Sequence, residues 1–180
     1  MSLDKRRFSI GRLLLGCLLG LAVFAFAFFV GVPSYELASA SRSLDRALRG
    51  AQSVTINEFV QYFDTSGHDP EPHYRVLSSK IPTPEQVEEL RRATSGVITI
   101  GFPLSHKRCF DPHHRVEIVR ADGTFLRLEI CFECDNFRFD EGAIKTMPRS
   151  WLRRLPAVFG NVGILIRGRE EYAKLNPNNA

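Results

Sequence analysis

Beyond residue 33 this chain lacks a charge excess of either sign. The 180 residues carry 24 Lys and Arg against 20 Asp and Glu, but Lys5, Arg6, Arg7 and Arg12 stand before that point, against Asp4 alone. The N-terminal flank therefore holds +3 of the net +4. A near-neutral remainder gives no electrostatic reason to bind a phosphate backbone, which excludes nucleic acid as the expected partner. Cysteine is scarce too: of four, Cys17 lies in an apolar run, leaving Cys109, Cys131 and Cys134. An odd number excludes a disulfide framework closed within one domain. Also missing are a phosphate-cradling glycine loop, a Walker-type motif and a complete set of nucleophile, base and orienting group, so no catalytic signature stands out. The length suits one domain plus an N-terminal anchor.

What is present begins with residues 13–32, LLLGCLLGLAVFAFAFFVGV, a run without a charged side chain. As a helix it is about 30 Å long, the thickness of bilayer hydrocarbon. A helix satisfies its own backbone groups there, so the run reads as a single transmembrane helix. It is longer than the apolar core of a cleaved signal peptide, although Ala38-Ser39-Ala40 resembles a cleavage site and keeps that alternative open. Four cations precede the run, whereas Arg42, Arg46 and Arg49 follow at a distance. The bias predicts a plasma (inner) membrane protein with a cytoplasmic N-terminus, an extracytoplasmic domain and the lipid bilayer as partner. The expected division is a basic flank at 1–12, the span at 13–32, a stalk or linker helix at 33–52, an α+β domain at 53–167, and a polar tail at 168–180 that frays.

Within the domain the hydrophobic periods assign the elements. Leu37, Ala40, Leu44, Ala47 and Leu48 fall at helical spacing in the stalk. Residues 53–63 and 73–81 read as strands flanking a Gly, Asp and Pro-rich loop. Thr83-Pro84-Glu85-Gln86 starts a helix, with Thr83 and Gln86 forming a capping box and Pro84 in the first turn, and Gly96 closes it. Residues 97–102 read as a third strand. Residues 115–132 form a hairpin around Ala121-Asp122-Gly123, and a three-residue loop with Gly123 left-handed puts the apolar residues on one face, pairing Val116 with Leu128 and Ile118 with Leu126. Residues 135–145 continue as strand. Residues 148–159 form a helix with Trp151, Leu152 and Leu155 inward, which Pro156 is expected to kink or split. The fold class is α+β: a small antiparallel sheet packed by two helices.

The hairpin gathers the residues with chemistry. Cys109 and the His113-His114 pair enter it, and Cys131-Phe132-Glu133-Cys134 leaves it. Neighbouring strands lie about 5 Å apart, so both clusters reach one end of the hairpin. Cys109, His114, Cys131 and Cys134 are the candidate metal ligands, a Cys₃His set suited to zinc. One disulfide with a leftover thiol, or buried reduced cysteines, are the alternatives. A redox role for the C-x-x-C is disfavoured because it leaves a strand among Glu129, Glu133 and Asp135, which oppose a thiolate.

The motif C-F-D-P-H-H followed by I-C-F-E-C resembles a group of uncharacterised bacterial exported or membrane-anchored proteins in which C-[F/Y]-x-P-R-H precedes C-F-x-C. The resemblance covers about residues 53–165 and marks Cys109, Pro112, His114, Cys131, Phe132 and Cys134. His113 stands where that pattern has Arg. The resemblance implies no activity. The expected function is a membrane-anchored, non-enzymatic module with a structural Cys/His cluster. The alternative is a thiol-dependent or metal-dependent enzyme, with Cys109 as nucleophile and His114 as base. The carboxylate pairs Glu88-Glu89, Asp140-Glu141 and Glu170-Glu171 do not share a helix face and read as solvated surface.

Overall fold

The computed structural model describes residues 15–25, 32–63, 72–95, 110–140 and 142–179. Their order is α1 (residues 15–25), α2 (Val32–Arg49), β1 (Ala51–Phe63), β2 (Pro72–Lys80), α3 (Pro84–Thr94), β3 (His114–Arg120), β4 (Phe125–Cys131), β5 (Asn136–Phe139), β6 (Lys145–Thr146), α4 (Arg149–Val162) and α5 (Arg169–Leu175). A 3₁₀ turn, Pro177–Asn179, follows. The strand expected at 97–102 and the helix stop at Gly96 lie outside the described residues.

The expected membrane span is overturned. Among the described residues no helix is long and apolar enough to cross a membrane. Helix α2 carries Arg42, Asp45, Arg46 and Arg49 and buries its apolar stripe in the domain. The single-pass anchoring and the inner-membrane placement fall with the span.

The α+β reading stands, on a larger scale than expected. Six strands form one antiparallel sheet in the order β2-β1-β3-β4-β5-β6. The β3-β4 hairpin has the expected register, Val116 opposite Leu128 and Ile118 opposite Leu126, and continues to His114 opposite Ile130. Gly123 sits at φ 78°, where a side chain would strain the backbone. Asp122 stiffens the turn by accepting from the Thr124 N–H at 3.0 Å. The long β1 is paired in a staggered way, with β2 from Ile56 to Phe63 and with β3 from Ala51 to Glu58.

Three helices, rather than two, cover one face of the sheet. Leu44 and Leu48 of α2, Leu90 of α3, and Trp151, Leu155 and Phe159 of α4 meet Ile56, Val116, Ile118, Leu128, Ile130 and Phe137 from the strands. Each fully buried side chain of this size contributes about 1.5–3 kcal/mol by leaving water. The stripe read as a stalk is therefore part of the core. The Thr83 capping box forms as expected, with Gln86 N–H donating to Thr83 Oγ1 at 3.4 Å and Gln86 Oε1 accepting from Thr83 N–H at 2.9 Å. At the other end of α3 the Thr94 carbonyl accepts from Ser41 Oγ at 2.6 Å and from Trp151 Nε1 at 3.1 Å, which ties three helices at one acceptor. Helix α4 runs through Pro156 without being split there. Trp151, Leu155, Val158, Phe159 and Val162 hold a single buried stripe across it, and that packing outweighs the one helical hydrogen bond a proline removes. The tail expected to fray instead carries α5, whose Tyr172 is buried.

Candidate functional site

Where β1 and β3 meet, the chain buries an unusual group of polar side chains. Glu58 pairs with His114 across the two strands, and both are 1% exposed. The segment after α4 crosses this end, bringing Arg167 and Tyr172 to the same place. Arg167 Nε donates to Glu58 Oε1 at 2.6 Å, and the Tyr172 hydroxyl donates to the same oxygen at 3.4 Å. Tyr172 Oη accepts from the Arg167 N–H at 3.4 Å and lies 3.3 Å from His114 Nε2. The Tyr172 ring stacks on His113 with centroids 3.7 Å apart, while His113 Nδ1 lies 3.2 Å from the Phe59 carbonyl.

The protonation of His114 follows from its partner. Its Nε2 is 2.8 Å from the Leu165 carbonyl, which only accepts, so Nε2 carries the proton and Nδ1 holds the lone pair. Nδ1 is buried and has no hydrogen-bond partner among the described residues. Burial pushes the imidazole down to about 4, with a smaller opposing pull from Leu165, so it is neutral at pH 7. Burial likewise raises the Tyr172 phenol above its ordinary value. The Asp111 carboxyl is held below its usual range, chiefly by its contact with His113.

Of the four expected metal ligands, three are described. Cys131 and Cys134 share the turn after β4, where the Cys134 N–H donates to Cys131 Sγ at 3.1 Å. Both are buried, and no disulfide joins them. Strand alternation separates Cys131 from His114. His114 and Ile130 face the helices, where His114 meets Phe132 and Phe159 edge to face at 5.0 and 5.5 Å, whereas Cys131 follows Ile130 and takes the opposite face. Among the described residues no group of three His, Cys, Asp or Glu side chains is placed to hold a metal ion. Cys109, His68 and His106 lie outside them.

A second buried charge network occupies the sheet face away from the helices. Glu129, 1% exposed, accepts from Arg115 Nη2 at 2.8 Å and from Arg138 Nε at 2.7 Å. The Arg115 guanidinium lies over the rings of Phe59 and Tyr74, 4.7 Å from each centroid. Sequence reasoning missed both networks. The available signals were Glu58, an acid inside the apolar run SVTINEFVQYF, and the ladder Arg115, Glu129, Arg138 on the face opposite the apolar residues. The catalytic pairing of Cys109 with His114 acquires no geometry here, because Cys109 is not among the described residues.

Hollows between the described elements are open to solvent. One, of about 530 Å³, lies between β1 and α3, and another, of about 610 Å³, lies between α3 and α4 among charged side chains. Neither is lined by Glu58, His114, Cys131 or Cys134. Comparison with known proteins finds no matching family model, no matching curated sequence and no matching solved structure.

Proposed function

We propose that this chain is a non-enzymatic module in which the polar groups at the end of the β3-β4 hairpin act as a structural clasp. The observation that carries this reading is how the buried charges are committed: Glu58 to Arg167 and Tyr172, and Glu129 to Arg115 and Arg138, by direct contacts of 2.6–3.4 Å. Groups saturated by internal partners hold strands together, whereas a catalytic acid or base needs a free position and an approach for substrate. Cys131 and Cys134 belong to the clasp as buried residues that fix the turn into β5. The resemblance to C-F-x-C proteins supports the same role for Phe132, which packs against His114 and Phe159.

Thiol counting tests the proposal. In the native full-length chain Cys131 and Cys134 should react with a thiol reagent only as fast as the domain unfolds, and fully in denaturant. Rapid native modification of both would contradict a structural role.

One observation favours a second reading, a metal-dependent clasp. His114 donates Nε2–H to a backbone carbonyl and keeps a bare lone pair on Nδ1, the arrangement that orients a metal-ligating histidine. Zinc is the ion suited to imidazole with thiolates, and because Cys131 takes the other face, the thiolate this reading requires is Cys109, which lies outside the described residues. Elemental analysis of the purified chain, with cobalt(II) substitution read by its thiolate absorption, separates the two readings. Stoichiometric metal lost on His114→Gln supports the metal clasp, and its absence leaves the metal-free one.

A further inference from the structure

Past Glu58 the strand β1 loses one of its neighbours. Its pairing with β3 ends at Glu58 opposite His114, while its pairing with β2 runs on to Phe63 opposite Pro72. The Phe59 N–H still donates to the His113 carbonyl, but the residue before His113 is Pro112, which has no N–H for a ladder. Two residues further back, the Phe110 ring already lies 5.0 Å from the guanidinium of Arg138 in β5. By alternation the carbonyls of Phe59, Gln61 and Phe63 turn to the side that β3 leaves. Each is met by a side chain in place of a strand. His113 Nδ1 lies 3.2 Å from the first, Asn176 Nδ2 donates to the second at 3.4 Å, and Asn178 Nδ2 donates to the third at 2.7 Å. The two asparagines brace each other, because Asn176 Oδ1 accepts from the Asn178 N–H at 3.0 Å.

We infer that residues 176–178 are an edge guard: they stand in for a strand beside the last residues of β1 and so keep that edge from pairing with the same edge of a second copy of this chain. Sheet edges recruit other chains unless charge, proline or brevity blunts them. At the two outer edges of the described sheet, β2 carries Pro72, Arg75 and Lys80, and β6 is only two residues long and holds Lys145. Residues 59–63, FVQYF, have none of these devices. An uncharged run of aromatic and β-branched residues without proline or glycine is the composition of segments that associate through their main chains. Antiparallel pairing between two copies sets Gln61 opposite its own counterpart and Phe59 of either copy opposite Phe63 of the other, so the edge is complementary to itself. It would also cover Phe63, which is 44% exposed. The inference does not rest on the clasp, because Glu58, His114 and Tyr172 make their contacts without either asparagine.

The test compares the full-length chain with two variants, the double substitution Asn176→Ala with Asn178→Ala and a chain ending at Leu175. Both keep Tyr172 and the clasp. Asn178 is exposed and Asn176 half-buried, so the double substitution leaves the core intact, and it decides the matter alone if the shortened chain does not fold. Sedimentation equilibrium should find self-association at least about tenfold stronger in each variant than in wild type, as expected from a few main-chain hydrogen bonds gained between copies. Adding Gln61→Lys to either variant should return its association to the wild-type value, because like charges would then face each other across the axis. The inference is overturned if the variants associate no more strongly than wild type or if wild type already associates as strongly as they do. Association that persists through Gln61→Lys would place the contact at another edge, and that outcome overturns it too.

Discussion

His114 shows how a single position in the strand ties folding to pH. Its ring is enclosed by Phe132, Phe159 and Tyr172, and desolvation lowers its pKa from 6.5 to about 4. The unfolded chain therefore binds a proton on this residue between those values while the folded chain does not, so stability falls as pH falls through that window. The loss should be about 3 kcal/mol between pH 7 and pH 4. Urea unfolding of wild type and His114→Gln at both pH values checks this: the variant should be less stable at pH 7 and show a flatter pH dependence. Equal slopes in the two proteins would show that burial of this imidazole is not the cause. Glu58 and Glu129 reflect the same rule from the acidic side, since a carboxylate removed from water persists only where cations or hydroxyls meet it.

At the scale of elements, the β3-β4 hairpin organises the sheet, and its turn depends on one residue. Gly123 adopts φ 78°, and a Cβ there would meet no other atom within 4 Å. Substitution therefore costs only the backbone strain of the left-handed region. Gly123→Ala should destabilise by about 1 kcal/mol, and Gly123→Asn by less, because asparagine tolerates that region. Thermal unfolding midpoints in that order check the prediction, and an alanine variant as stable as wild type would refute it. The hairpin was legible in the sequence because both of its signals are local: a turn residue and an alternation with period two. The capping box of α3 was legible for the same reason. The continuity of α4 was not, because a proline's local penalty is offset by packing against distant strands that the local pattern does not report.

Across the whole molecule, the core begins earlier than the run of strands suggests. Leu44 of α2 is fully buried and Leu48 is 4% exposed, so α2 is a wall of the domain. A chain starting at residue 33 should unfold cooperatively, whereas one starting at residue 53 should not, since it loses four buried side chains of α2 and the roughly 2–5 kcal/mol that each large one contributes. Circular dichroism with urea compares the two, and cooperative folding of the shorter chain would place the core elsewhere. The sequence by itself determined the α+β class and the hairpin register, because both are written in local periodicity and turn chemistry. Only the tertiary structure decided that the apolar stripe of α2 faces a sheet, that His114 and Cys131 take opposite faces, and that Glu58 finds Arg167 more than a hundred residues along the chain. The physical reason is common to all three: periodicity records that a side chain needs a dry partner or a countercharge, but which surface supplies it depends on contacts between segments far apart in the chain.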